Sequence, residues 1–297
     1  MPIDFKPNSL LQPCWGEKLI LYSLSSDGIY QPHIPVAHRD DEYDQTGFDT
    51  LWDMQERHFW YRGRHRFLLK ALDRFMPKTH SALRAIDLGG GVGGWVRYLA
   101  DRRGEHFQKI ALADSSQVAL TMAGNILPPG VDRYQIDLMN LGWENEWDIA
   151  FMLDVIEHIP DDIRAVRQAA EALKPGGLLF VATPAFQQFW SYNDDLANHL
   201  RRYTRSDFKA IAGQTGLKLL DSRYFMFLLS PLYLLSRIKP GFDRLSQEEK
   251  LKVVEDQHKV PAAPLNAALT AVFSAETPVG HWLSFPWGTS VLGVFQK

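Results

Sequence analysis

Residues 85–95 read AIDLGGGVGGW, and the architecture of the chain is clearest at this point. The apolar run before the glycines predicts a buried β-strand over 84–88, and Trp95, Val96 and Leu99 have the spacing of a helix over 93–103. Five of the six residues 89–94 are glycine. Because glycine lets the backbone turn sharply and approach a ligand closely, we predict a strand, a ligand-binding loop and a helix in succession.

The glycines fit two patterns. Gly89, Gly91 and Gly94 match the G-x-G-x-x-G of dinucleotide-binding loops, whereas Asp87, Gly89, Gly91 and Gly93 form an acid followed by alternating glycines. A dinucleotide brings an anionic pyrophosphate, which a carboxylate two residues before the first glycine would repel. S-adenosylmethionine instead brings an ammonium and a sulfonium, which the same carboxylate would attract. We therefore expect S-adenosylmethionine as the cofactor.

Apolar runs and helical patterns alternate on the C-terminal side of this loop. Strands are predicted over 84–88, 110–113, 134–138, 148–155, 178–183 and 217–225, with a last strand over 290–295. Helices are predicted over 93–103, 115–126, 161–173 and 206–215, and a tight turn over 174–177. Strands that alternate with helices of this length form crossover units, so the fold class is α/β with a largely parallel, Rossmann-like sheet.

The two flanks of this core have different patterns. Residues 1–45 show no clear period and are predicted to be extended or loosely packed, whereas 48–75 have a helical, aromatic pattern that Pro77 ends. We divide the chain into an N-terminal extension with a lid (1–80), a Rossmann-like core (81–225), a mainly helical insertion on the acceptor side (226–286) and the last core strand (287–297).

Composition limits the partners and the compartment. The net charge of −3 gives no reason to expect nucleic acid as a partner. Cys14 is the one cysteine, so an intrachain disulfide and a cysteine zinc cluster are excluded and a reducing, cytoplasmic location is favoured. The first residues lack the pattern of a secretory leader. The most apolar stretch, 225–235, is shorter than the ~20 residues of a membrane span. Core packing is the favoured interpretation of that stretch, with a pocket wall or contact with a membrane surface as alternatives.

Two further acids stand at predicted strand ends. Asp114 follows the second strand about 20 residues after the glycines, where a carboxylate can accept hydrogen bonds from ribose hydroxyls. The alternative for Asp114 is a cap on the next helix. Asp137 follows the third strand, where it could reach an adenine amino group, or it is an ordinary turn residue.

The chain resembles the class I S-adenosylmethionine-dependent methyltransferases. The glycine loop with Asp87, then Asp114, Asp137-Leu138 and the segments FMLDVIEHI (151–159) and LKPGG (173–177), have that family's order and spacing over roughly 84–225. The resemblance implies a seven-stranded sheet whose last strand lies antiparallel between the fifth and the sixth. It also implies further cofactor-binding residues: Arg64, Ser115, Leu138 and Leu153.

Within that family the chain is most similar to the branch that contains the ubiquinone-biosynthesis O-methyltransferases and related small-molecule enzymes. DVIEH (154–158) and HLRRYT (199–204) are typical of this branch. The segment HFWYRGR (58–64) resembles the element that closes over the cofactor, which implies a lid with Trp60, Tyr61 and Arg64 nearest to the ligand.

Methyl transfer from a sulfonium is a one-step displacement, and a base helps when the acceptor is a hydroxyl. His158 and His199 are the candidate bases, although His158 could instead shape its loop and His199 the turn over 199–204. Glu157 next to His158 offers two metal-ligand types, but two neighbours make no ligand spacing, and no metal is expected. We expect a small, largely apolar acceptor that is methylated on oxygen, while the motifs leave nitrogen and carbon open.

Two other function classes remain as alternatives. An NAD-dependent oxidoreductase would share the glycine loop and Asp114, but Asp87 and the 151–177 motifs argue against it. A non-catalytic methyltransferase-like subunit that scaffolds a partner would not need the intact glycine loop and its acids.

Overall fold

The computed structural model describes residues 20–36, 48–78, 82–237, 245–246, 249, 252–253 and 259–297. Cys14, the rest of the predicted extension and the middle of the predicted insertion lie outside the described residues.

The described residues form one nine-stranded sheet. In chain order its strands are β1 (Tyr22–Leu24), β2 (Ile29–Pro32), β3 (Leu83–Leu88), β4 (Phe107–Asp114), β5 (Asp132–Gln135), β6 (Trp147–Leu153), β7 (Leu173–Pro184), β8 (Lys218–Phe225) and β9 (Ser290–Gln296). Their order across the sheet is β1-β2-β5-β4-β3-β6-β7-β9-β8. The core strands β3 to β7 pair in parallel, and β9 lies antiparallel between β7 and β8. This arrangement confirms the predicted Rossmann-like α/β class and its antiparallel last strand.

Helices connect these strands. They are α1 (Phe48–Arg57), α2 (Phe59–Phe75), α3 (Gly94–Arg103), α4 (Gln117–Ala123), α5 (Asp162–Ala172), α6 (Tyr192–Leu196), α7 (Arg205–Thr215), α8 (Ser230–Arg237) and α9 (Ala263–Trp282). Apolar residues of α5 and α7 pack on one face of the sheet, and those of α2, α3 and α9 pack on the other. Because both faces are covered, β9 is buried from Ser290 to Phe295, as a central strand of such a sheet must be.

The N-terminal part of the sheet differs from the prediction. Residues 22–32 form a hairpin, and β2 adds it in parallel to β5, so this segment is not a loosely packed extension. Gly28 makes the turn of this hairpin. Its φ is 75°, and its N–H donates to the Ser25 carbonyl at 3.1 Å. Tyr22 and Ile29 are buried by the pairing. Strands of three and four residues are too short to show a period in the sequence.

Four other details of the predicted elements differ from the structure. β5 ends at Gln135 instead of residue 138, and β6 ends at Leu153 instead of residue 155. The predicted turn over 174–177 lies inside β7, opposite a register shift between Trp147 and Ile149. The predicted helix over 48–75 is two helices, because the His58 side chain accepts the Trp60 N–H (3.2 Å) and begins α2.

Candidate functional site

The loop between β3 and α3 contains three glycines in the left-handed region. Gly89, Gly91 and Gly93 have φ values of 78°, 56° and 81°, which residues with a Cβ rarely adopt. A Cβ on Gly89 would also come within 2.8 Å of Val155. The loop therefore requires glycine at the three predicted positions, and it lies beyond the carboxyl end of β3, where open α/β sheets bind ligands.

Asp87 lies in β3 directly behind this loop. Its side chain is buried, and its Oδ1 has no hydrogen-bond partner among the described residues. Burial raises the pKa of Asp87 to about 7, and Asp114 and Asp154 add to the rise while Arg64 opposes it. A buried carboxyl without a donor binds a cation favourably, and the ammonium group of S-adenosylmethionine is such a cation.

Asp114 ends β4 and holds the glycine loop. Its Oδ2 accepts the Gly91 N–H at 2.8 Å, and its Oδ1 accepts the Ser116 N–H at 2.9 Å. The cap of α4 is Ser116, which accepts the Ala119 N–H at 3.2 Å, so Asp114 is not itself that cap. The neighbouring Ser115 is half-buried. Hydrogen bonds from Asp114 to ribose hydroxyls stay a prediction.

Asp137 lies two residues beyond the end of β5. Its Oδ1 accepts the Met139 N–H at 2.8 Å, and its carbonyl accepts the Asn140 N–H at 2.9 Å. Asp137 is thus a turn residue in this structure, and its contact with adenine stays a prediction. Leu138 is half-buried and Leu153, at the end of β6, is buried, so both lie at the same edge of the sheet as the glycine loop.

Arg64 connects the predicted lid to the end of β6. The Arg64 guanidinium is buried, forms an ion pair with Asp154 at 3.2 Å, and lies 5.0 Å from the Trp60 ring centroid and 5.6 Å from that of Tyr61. Asp154 has a φ of 59°, an uncommon conformation for a non-glycine residue that is often found at functional sites. The structure therefore brings the three predicted lid residues to one end of β6.

A second cluster follows Asp154. One ligand-type atom each of Glu157, His158 and His199 lies within 4.8 Å of the other two, and the two imidazole centroids are 4.7 Å apart. Glu157 is fully buried, and neither of its carboxyl oxygens has a hydrogen-bond partner among the described residues. Burial raises the pKa of Glu157 well above its usual range, and Asp154 adds to the rise. Burial, with His199 nearby, lowers the pKa of His158 to about 4.

His199 is oriented by a buried ion pair. Its Nδ1 lies 2.9 Å from Asp194 Oδ1, and Arg202 donates two hydrogen bonds to the same carboxylate, from Nε (2.7 Å) and Nη2 (2.9 Å). Burial disfavours the charge of Asp194, but the hydrogen bonds from His199 and Arg202 outweigh it and hold the pKa of Asp194 below its usual range. An ionised carboxylate at Nδ1 favours the tautomer with the proton there, which leaves Nε2 as the acceptor.

Sequence reasoning missed Asp194 and Gln55, and it placed Arg202 in the 199–204 motif without its ion pair to Asp194. The Gln55 side chain, on α1, accepts the Gly94 N–H at 2.9 Å and so places the first lid helix on the glycine loop. The Ser191 start of α6, where Asp194 is the third helical residue, has the sequence pattern of a capping box. That pattern would have placed Asp194 on a helix, but not its contact with His199.

The two halves of the site adjoin each other at Asp154. Its charge acts on Asp87 on the glycine side and is itself influenced by His199 on the histidine side. One half offers carboxylates and a glycine loop to a cationic nucleotide, and the other offers imidazoles and carboxyls where a proton or a cation can be held. This is the arrangement that group transfer from a cationic donor needs.

The family model described as "Methyltransferase domain" matches residues 59–222, more than half of the chain. One curated relative is phosphoethanolamine N-methyltransferase 2 of Caenorhabditis elegans, which is 32% identical over 145 residues, 47% of this chain and 32% of that protein. Another is a ubiquinone biosynthesis O-methyltransferase of Marinobacter nauticus, 32% identical over 104 residues, 34% of this chain and 43% of that protein. The chain thus spans less than half the length of these two relatives.

Solved structures share the fold at low sequence identity. A methyltransferase of Haloferax volcanii, in complex with the Trm112 methyltransferase activator, superimposes with a TM-score of 0.55 at 15% identity, over 88% of this chain and 98% of that one. Phosphoethanolamine N-methyltransferase 2 of Haemonchus contortus, in complex with S-adenosyl-L-methionine, gives a TM-score of 0.53 at 18% identity, over 90% of this chain and 61% of that one. The chain belongs to the methyltransferase domain family, within the class I S-adenosylmethionine-dependent methyltransferases.

Proposed function

We propose that the protein methylates an oxygen atom of a small, largely apolar acceptor, with His199 as the general base. The observation that carries this proposal is the Asp194–His199 pair (2.9 Å) close to Asp154 at the end of β6. In the proposed step the acceptor hydroxyl gives its proton to His199 Nε2, and its oxygen attacks the methyl carbon. The carbon–sulfur bond breaks, and its electron pair returns to sulfur, which leaves neutral S-adenosylhomocysteine.

His199 is better suited than His158 to this role. A pKa of about 4 makes His158 a weak base at neutral pH, because burial and His199 disfavour its protonated form. Asp194, held ionised by Arg202, would instead stabilise the imidazolium that forms on His199. We therefore assign His158 to shaping the acceptor side of the site.

The cofactor contacts in this proposal follow the geometry of the glycine side. Asp87 would receive the ammonium group, and Asp114 the ribose hydroxyls in addition to the loop N–H groups it already accepts. Gly89, Gly91 and Gly93 would let the backbone approach the cofactor. Arg64 would leave or share its ion pair with Asp154 to meet the cofactor carboxylate.

The test is a labelling assay with two panels of acceptors, apolar phenols and catechols in one and small amines, including phosphoethanolamine, in the other. We expect transfer of labelled methyl to the phenolic panel. His199→Ala should lower turnover about 100-fold or more, the usual size of a general-base contribution. S-adenosylhomocysteine affinity should stay within about twofold, because the base lies outside the nucleotide site. His106→Ala, at a half-exposed surface histidine, is the matched control.

Label in the amine panel alone would contradict oxygen as the acceptor atom. Full turnover in His199→Ala would contradict the base assignment, whichever panel is labelled.

A divalent cation at Glu157, His158 and His199 is a second candidate for the acceptor half. It is favoured by Glu157, which is buried with both carboxyl oxygens unpartnered among the described residues and with two imidazoles nearby. Equilibrium dialysis with Mn²⁺ and with Zn²⁺ tests it: the candidate requires one equivalent bound to wild type, none to Glu157→Gln, and activity lost to a chelator and restored by the metal. If neither metal binds, His199 acts as a base alone.

A further inference from the structure

Among the helices that the structure describes, α9 is the longest, and it carries apolar residues on its solvent side. None of its exposed residues is charged or polar, and six of them recur at helical spacing: Leu265, Ala268, Val272, Ala275, Val279 and Trp282. Trp282 is 81% exposed. The side that faces the protein instead buries Asn266, Thr270, Glu276 and Thr277 beside Phe273. This distribution is the reverse of an ordinary surface helix.

Hydrogen bonds fix α9 in this orientation. The Asn266 side chain accepts the Phe59 N–H (2.8 Å) and donates to the Arg57 carbonyl (2.8 Å), which joins α9 to the start of α2. The Glu276 carboxylate accepts the N–H groups of Phe227 (2.9 Å) and Leu228 (2.8 Å). A rotation that turned the apolar side inward would leave these groups without partners, so the apolar face stays outside.

The exposed apolar face continues beyond α9. Leu232 and Leu235 project from α8, and Leu228 lies two residues before its start; Leu235 is 67% exposed. The Trp287 Nε1–H donates to Ser230 Oγ at 3.2 Å, so the start of α8 lies against the chain that follows α9. Core packing, which the sequence favoured for residues 225–235, holds for Phe225, Met226 and Leu229 and is wrong for these three exposed leucines.

A row of cations borders α9 on its other side. Arg62, Arg66 and Lys70 are one turn apart on α2, and Arg66 Nη1 donates to Ser274 Oγ on α9 at 2.8 Å. Arg62 and Lys70 are exposed. Among the ion pairs between described residues none includes these three side chains. Among the described residues, this row therefore places positive charge beside the apolar face.

We propose that α8 and α9 dock the protein on the surface of an anionic lipid bilayer. Leucine and tryptophan side chains would enter the boundary between headgroups and acyl chains while Arg62, Arg66 and Lys70 meet lipid phosphates. A bilayer supplies hydrocarbon for the apolar face and negative charge for the cations, whereas a second copy of this chain would bring the same three cations to the interface. Docking goes beyond the methyl transfer and does not depend on which acceptor is used.

Vesicle flotation tests the proposal with phosphatidylcholine alone and with phosphatidylcholine containing about 30% phosphatidylglycerol. We expect at least tenfold tighter binding to the anionic vesicles, weakened by salt. Trp282→Asp should weaken it at least tenfold, and Arg62→Gln and Lys70→Gln about fivefold each. Val118→Asp, at an exposed apolar residue on α4 far from α9 in sequence, is the matched control and should bind as wild type does. Unchanged S-adenosylhomocysteine affinity would show that each variant folds.

Absence of binding to the anionic vesicles would overturn the proposal, as would wild-type binding by Trp282→Asp. Light scattering tests the alternative that a second copy of this chain covers the apolar face. A dimer that Trp282→Asp dissociates, from a protein that binds neither vesicle, would assign the face to a second copy of the chain.

Discussion

The charge of the Asp87 carboxyl depends on pH and on whether the cofactor is bound. Burial raises its pKa to about 7 in the cofactor-free protein. Above that pH the carboxyl is ionised and ready for an ammonium, so S-adenosylmethionine affinity should rise between pH 6 and pH 8. Asp87→Asn should bind at least tenfold more weakly, because a hydrogen bond to a charged group is lost, and should show no such rise. Calorimetry across this range measures both effects, and Asp101→Asn, at an exposed acid on α3, is the control.

The same shift affects stability with the opposite sign. The folded-state pKa of Asp87, about 7, lies above the ordinary 3.8 of an unfolded chain, so between these values the folded protein holds a proton that the unfolded chain has lost. The contribution of Asp87 to stability therefore falls as pH rises through this window. Asp87→Asn should be more stable than the cofactor-free wild type at pH 8, by on the order of 1–4 kcal/mol. Denaturant melts at pH 4 and pH 8 measure it, and an equal difference at both values would refute the shift.

At this scale the sequence was informative where the functional residues are neighbours in the chain. Asp87 and the loop glycines could be interpreted together because they lie within seven residues of one another. His199 could be proposed from its motif, but its partner Asp194 could not, and neither could its approach to Glu157. That contact joins residues more than forty positions apart, and no local periodicity records it.

Among the elements, the contact between α2 and α9 supports both the lid and the apolar face. A methyl group added at Gly63 would overlap the Phe273 ring, so Gly63→Ala should destabilise the protein by roughly 1–3 kcal/mol through overpacking. Combining it with Phe273→Leu should recover part of the loss. Gly213→Ala is the matched control, because a Cβ there meets nothing within 4 Å and alanine favours the helix α7. Thermal melts of wild type, Gly63→Ala, the double variant and Gly213→Ala measure these differences in stability. An equal loss of stability in Gly63→Ala and Gly213→Ala would count against this contact.

Element types were predictable wherever the hydrophobic period ran for several turns or filled a buried strand. The break between α1 and α2 was not, because His58 caps a helix through its ring nitrogen and lacks the usual Ser, Thr, Asp or Asn signal. The end of β5 was misplaced because Ile136 is buried and continues the apolar pattern after the pairing with β4 has stopped.

For the whole molecule, the site depends on elements that meet only in the folded chain: α1 through Gln55, α2 through Arg64, and the glycine loop. S-adenosylhomocysteine should therefore slow amide hydrogen exchange in 48–75 and 89–94 together. The hairpin over 22–32, at the far edge of the sheet, should exchange at the same rate with and without it. Protection of 89–94 alone would show that α1 and α2 are purely structural and do not close over the cofactor. No helix that the structure describes has the length and hydropathy needed to cross a bilayer.

The position of β9 has a consequence for synthesis. β9 lies between β7 and β8, so β7 has only β6 as a partner, and β8 has none, until residues 290–296 have left the ribosome. During translation of residues 226–289 the edge of β7 is open and β8 is a strand without a sheet, a state in which nascent chains pair wrongly with one another. Because the closing contacts join distant parts of the chain, they also form slowly. The sheet is therefore completed only when the seven residues of β9 have been synthesised.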